Sequence, residues 1–172
     1  MQEIATVEQL KQRLIKGPGH EGYSDLVEAI NLSEGELQRV CKWREDRYTR
    51  IRIFETENLE GIITCWPAGT QSPIHNYELQ QGWVKVLEGE LHLEYYRLFS
   101  TDVQAYGKKV IKEGEYVHLK DGLGYHRFAN RGNKPAIALY LYSNKITEWH
   151  KYNEETGLVE LVQVSSDLDL ST

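Results

Sequence analysis

At 172 residues the chain is long enough to bury a sizeable core without metals or disulfides as staples, and 40% hydrophobic with 27% charged residues is ordinary for a soluble globular protein. The formal charge of −6, with only scattered basic pairs such as Lys108-Lys109, argues against a nucleic acid or an anionic membrane as partner. Cys41 and Cys65 are the only cysteines, one in an apparent helix and one in an apparent strand, which is not a disulfide framework. With no signal-peptide pattern and no stretch near the roughly 20 apolar residues of a membrane span, a reducing, cytoplasmic setting is expected.

The first forty-odd residues carry a helical pattern. Thr6 followed by Gln9 forms a capping box, and Val7, Leu10 and Leu14 then share a face until Gly17-Pro18-Gly19 stops the helix. A second helix fits Ser24 to Leu32, and Ser33 with Glu36 opens a third through Leu37, Val40 and Cys41. Each stripe is narrow and no linker follows, so these helices are expected to cover one side of a β structure.

From Tyr48 the hydrophobic period changes to two. Arg47 to Glu55, Gly61 to Trp66, Gly82 to Glu88, Leu91 to Arg97, Lys109 to Ile111, Tyr116 to Leu119, Tyr125 to Ala129 and Ala136 to Tyr142 read as short strands, a pattern of the sandwich or jelly-roll kind. Glu88-Gly89-Glu90 predicts a tight hairpin, Phe99 to Gly107 a polar surface loop, and Leu158 to Val164 a last edge strand before an acidic, disordered end. The expected organisation is one domain over 1–172: a helical cap in 1–45, a β-barrel in 46–164 and a tail in 165–172.

His75 and Tyr77 stand two apart, so on a strand they share a face, and His126 follows much later after a strand-Gly-strand hairpin. That is the pattern of a metal site inside a small β-barrel. Arg50 belongs to the alternating set Tyr48, Arg50, Arg52, Phe54; an arginine facing into a barrel needs a partner, and a substrate carboxylate fits its bidentate fork. Ala138, Tyr140 and Tyr142 share a face by the same period. Trp66, Trp83 and Trp149 read as packing residues, and His20, His92, His118 and His150 as surface or interface groups.

Several motifs in one order, Tyr48-Thr49-Arg50, Cys65-Trp66, Ile74-His75, Val84-Lys85-Val86-Leu87 with Gly89, His126-Arg127 with Asn130, and Leu139-Tyr140-Leu141-Tyr142-Ser143, resemble the cysteine dioxygenase (type I) family of thiol dioxygenases. The resemblance implies an all-β fold, a cupin jelly-roll barrel with an N-terminal helical cap. It implies one non-haem ferrous ion, another divalent metal being the alternative, at His75, Tyr77 and His126. Arg50 and Tyr48 would bind substrate, and the Tyr142 hydroxyl would act near the metal. The activity implied is oxidation of cysteine, or a related small thiol carboxylate, to the sulfinate with dioxygen, by a monomer or homodimer. The chain departs from the pattern at four positions. Tyr77 stands where the family has a third His, and Ala138 and Tyr140 replace a Ser and a His of a hydrogen-bonded relay. Gly82 occupies the position of a cysteine that some members join covalently to the tyrosine. These departures favour two rivals: a cupin that has lost oxygenase chemistry and binds a metal or small carboxylate as a sensor or accessory module, and a cupin enzyme of different metal and reaction.

Overall fold

The computed structural model describes residues 2–17, 22–76, 81–99, 102–120 and 124–171. Among these residues, helices α1 (Val7–Ile15), α2 (Tyr23–Ala29) and α3 (Glu34–Val40) come first, followed by twelve strands, β1 (Thr49–Thr56) to β12 (Leu168–Asp169). None of these helices is long and apolar enough to cross a membrane.

The caps form as their residue types dictate. Thr6 accepts from the Gln9 amide, and the Gln9 side chain returns the bond to the Thr6 amide, a complete capping box. At α3 the box is half made: Ser33 Oγ accepts from Glu36 N, but the Glu36 carboxylate turns away to accept from Val7 N at 2.9 Å. It thereby ties the start of α1 to α3. Lys85 is buried, and its Nζ donates to Val27 O and Glu28 O at 3.0 and 2.7 Å, placing a cation at the carbonyl end of α2.

The strands pair as two six-stranded sheets, β12-β1-β2-β9-β4-β7 and β11-β10-β3-β8-β5-β6, which face one another; among the described residues they do not close into one continuous barrel. β2 (Leu59–Trp66) and β9 (Ala136–Tyr142), the central strands of the first sheet, are buried at every position, so both of its faces are covered. The outer face, with Ile51, Ile53, Ile63, Leu139 and Leu141, packs with the apolar stripes of the helices in one cluster. The inner face, with Ile62, Val84, Val86 and Tyr140, packs against Leu91, Leu93 and Phe128 of the second sheet. Gly89 turns β4 (Gly82–Glu88) into β5 (Glu90–Phe99) at φ 76°, and a Cβ there would lie 2.7 Å from Pro135 O.

Three expectations need correction. The described residues of the loop expected over Phe99 to Gly107 are strand: β5 runs through Phe99, and β6 (Asp102–Lys112) begins at Asp102 and pairs antiparallel with it. Two short strands, β3 (Ile74–Asn76) and β10 (Glu148–Tyr152), join the second sheet, and β10 is one that the periodicity does not predict. The acidic end is ordered by pairing. β12 runs parallel to β1; Asp167 N donates to Arg50 O and Leu170 N to Arg52 O, both at 2.7 Å, while Asp167 Oδ2 accepts from Arg50 N at 2.9 Å. Both cysteines are free.

Candidate active site

β3 and β8 (Tyr125–Ala129) are paired with His75 directly opposite His126, so both imidazoles leave the sheet on one face, with ring centroids 4.5 Å apart. Both residues are buried. Ser72 pins the approach to β3: its amide donates to Phe128 O at 2.8 Å and its hydroxyl accepts from Phe128 N at 3.1 Å. Arg127 leaves the opposite side of β8, donating through Nε to Ser72 O at 3.0 Å and pairing with Glu154. Asn130 closes the strand by donating to Trp66 O and Lys134 O.

Each imidazole is oriented by a backbone carbonyl, His75 Nδ1 by Pro73 O at 2.9 Å and His126 Nδ1 by Gly124 O at 3.2 Å. A carbonyl can only accept, so Nδ1 carries the proton and Nε2 keeps its lone pair on both rings. Burial pushes both pKa values down, His126 to about 4; His75, pushed well below the usual range, also feels the neighbouring His126, Arg50 and Arg127. Two neutral imidazoles presenting Nε2 on one face are suited to a divalent metal. Tyr77, the third ligand expected from sequence, lies outside the described residues, as does His20. Among the described residues no group of three or more His, Cys, Asp and Glu side chains gathers to hold an ion.

The first sheet supplies the other wall. Register places Arg50 of β1 opposite Thr64 of β2, and Thr64 opposite Ala138 of β9. Trp66 Nε1 donates to Thr64 Oγ1 at 2.7 Å, and the Trp66 ring stacks on Tyr48 at 4.2 Å. Arg50 is 7% exposed and shares a hydrogen bond with the Tyr142 hydroxyl, with the Glu60 carboxylate near enough to favour its charge. Burial raises the pKa of Tyr142 to about 12, with Arg50 opposing, and lifts Tyr48 and Tyr140 as well, so all three phenols are protonated at neutral pH. The Tyr140 and Tyr142 rings lie 5.9 Å apart. At Gly82 a Cβ would stand 3.2 Å from the Tyr142 ring, so the missing side chain gives that ring its space.

His75 and Arg50 thus line one small cavity with Tyr48, Tyr140, Tyr142 and Trp149, of about 10 Å³. In sequence Trp149 reads as a packing residue. Its indole in fact lies 4.2 Å from the His75 ring and 5.7 Å from the Arg50 guanidinium carbon. No local pattern could have found it, because β10 reaches the site only by pairing with β3. Trp83, by contrast, is on the outer face with Nε1 donating to Ser24 Oγ. The other described histidines lie elsewhere: His92 beside Glu90, His118 stacked on Trp83, His150 on β10 opposite Asn76.

The sequence matches the family model for cysteine dioxygenase type I over residues 4–155. Cysteine dioxygenase type 1 of Danio rerio is 27% identical over 143 residues, covering 80% of this chain and 71% of the relative. Two solved structures share the fold: a double-stranded β-helix protein of Klebsiella pneumoniae, with a TM-score of 0.50 and 16% identity over 76% of this chain and 95% of its own, and the Cnp3 cupin domain of Schizosaccharomyces pombe, with 0.51 and 14% over 63% and 72%. With its two facing sheets and their helical cover, the chain has the cupin fold and belongs to the cysteine dioxygenase type I family.

Proposed function

We propose that the chain is an iron-dependent thiol dioxygenase that converts cysteine, or a related small thiol carboxylate, to the sulfinate, both atoms of dioxygen entering the product. The observation that carries this reading is a buried pair of neutral imidazoles, His75 and His126, on the opposite sheet from a buried arginine, with His75 and Arg50 lining one cavity. A ferrous ion held by His75 and His126, with Tyr77 the remaining candidate ligand, would supply the Lewis acidity and one-electron chemistry that oxidation of a thiol by dioxygen requires. The protein's own groups do the rest. Arg50 binds the substrate carboxylate, Tyr48 flanks it from its stack on Trp66, and Tyr142 stays protonated and offers its hydroxyl beside Arg50. The apolar walls from Phe128 and Trp149 exclude water.

The test is metal content followed by oxygen uptake on a panel of thiols. Cysteine should consume one dioxygen per sulfinate formed. Arg50→Ala should raise KM for cysteine about 10- to 100-fold, the worth of an ion-paired hydrogen bond, and leave cysteamine, which has no carboxylate, unchanged. A metal-loaded protein that takes up no oxygen with any thiol would sink the reading. Tyr77→His should increase both metal retention and thiol-dependent uptake, since a phenol binds ferrous iron less well than an imidazole. The rival reading, a cupin that binds a metal or small carboxylate without oxygenase chemistry, is favoured by Ala138 and Tyr140, which leave the inner face of β9 without the family's Ser and His.

A further inference from the structure

Three hydrogen-bond donors are buried around the cavity without an acceptor: Arg50 Nε, the Tyr140 hydroxyl and Trp149 Nε1. Their residues are 7%, 3% and 8% exposed, and they come from β1, β9 and β10, so the packing of no single strand accounts for them. Thr64 Oγ1 stands near the Tyr140 hydroxyl and keeps one acceptor position after donating to Ala138 O and accepting from Trp66 Nε1, but the two hydroxyls do not reach hydrogen-bonding geometry. Buried donors are almost always satisfied, and three around one space call for a ligand that only accepts. A cavity of about 10 Å³ has room for about one water, and one water accepts two hydrogen bonds at most. A carboxylate offers about four acceptor positions on two oxygens and a negative charge to meet the guanidinium, and the walls have to part beyond this one-water volume to admit it.

Trp149 also decides how large that ligand can be. Its ring lies against both the His75 imidazole and the Arg50 guanidinium, the two groups a thiol carboxylate has to bridge. We propose that Trp149 is the specificity-determining residue of the cavity: its indole N–H joins Arg50 and Tyr140 in holding one carboxylate, and its ring restricts the site to the shortest carboxylates. The proposal rests on the reading of Arg50 as the carboxylate ligand and adds the size limit and the third donor. Every methylene beyond the shortest chain has to displace the indole from a packed position, and close-packed walls yield at a cost.

The experiment is a calorimetric titration of the full chain, as purified, with acetate, propionate, butyrate and valerate. In the wild type, affinity should fall at least about tenfold from acetate to butyrate, the scale of overpacking in a core. Trp149→Phe keeps the bulk and loses the donor, so the order should persist with affinity lowered about fivefold throughout. Trp149→Ala opens the wall, and the order should reverse, each methylene gaining about fourfold by burial. Should the alanine variant fail to fold, the phenylalanine variant alone decides the donor role, since unchanged acetate binding there overturns it. Failure of the wild type to bind acetate, or a chain-length order that Trp149→Ala leaves untouched, also overturns the proposal. If the order follows Trp149 but the metal-loaded protein consumes no oxygen with any thiol, the dioxygenase reading falls and this one stands. Oxygen uptake with cysteine but no effect of Trp149 on the order leaves the dioxygenase reading standing and removes this one.

Discussion

The two faces of the first sheet are both buried, and the inner one mixes polar groups with its apolar side chains. Ile51, Ile63, Leu139 and Leu141 point outward under the helices; one residue along the same strands, Arg50, Thr64, Ala138 and Tyr140 point inward. The outer face is stabilised by transfer of apolar surface from water, about 1.5–3 kcal/mol for each large aliphatic side chain. The inner face holds a guanidinium and two phenols, which cost free energy to bury unless something meets them. Burial alone therefore separates nothing here. What separates the faces is whether removing a side chain would damage the fold or the chemistry.

Perturbing each face in turn tests that distinction. The largest expected effect is on the outer face: Leu139→Ala should lower stability by about 2–5 kcal/mol in urea unfolding while leaving turnover per folded molecule unchanged. Next comes acid lability. The folded-state pKa of His126, about 4, lies below its ordinary value of 6.5, so in that window the unfolded chain binds more protons. The metal-free protein should therefore lose roughly 3 kcal/mol as pH falls from about 6.5 to 4, from this residue alone, and His126→Gln should flatten the slope of urea midpoint against pH. An unchanged slope would mean that the imidazole is already charged in the fold.

Arg50→Met, on the inner face, should shift stability by less than about 1 kcal/mol, because an apolar side chain of similar length replaces an incompletely paired charge. Equal destabilisation by Arg50→Met and Leu139→Ala would make Arg50 a structural residue and erase the contrast. The smallest effect belongs to the helical cover itself: Glu36→Gln, weakening the hold on Val7 N and the pair with Arg39, should cost about 1 kcal/mol with no change in activity.

The outer face was legible in the sequence because aliphatic alternation and capping residues are local signals. Ile51 and Ile53, and Thr6 with Gln9, act as their spacing predicts, and Ser33 caps α3 although Glu36 turns to Val7 instead of closing the box. His75, His126 and Arg50 stand out by motif order, and the structure brings the two histidines together as a cross-strand pair. What escaped has its cause far along the chain. Asp102 to Gly107 is exposed on nearly every residue, so it has no apolar face to produce a period of two, and it is a strand only because β5 lies beside it. Trp149 sits among Glu148, His150 and Lys151, a context that reads as surface, and enters the site through the pairing of β10 with β3. The Ser165-Ser166-Asp167 run looks unstructured until Arg50 supplies it with backbone partners.

That last pairing also bears on how the molecule comes into being. Arg50 lies on β1, yet its amide is held by a carboxylate 117 positions later, and β12 flanks the strand on the side away from β2. Contacts of such sequence separation form late in folding, because the intervening chain has to be ordered before they can close. A nascent polypeptide leaving the ribosome can therefore complete its helical cover and the β1–β2 pairing while the strand bearing Arg50 still has an open edge. The backbone of Arg50 is held on this side only once residues 167–170 have been made, so the strand that carries the arginine is completed from the far end of the sheet.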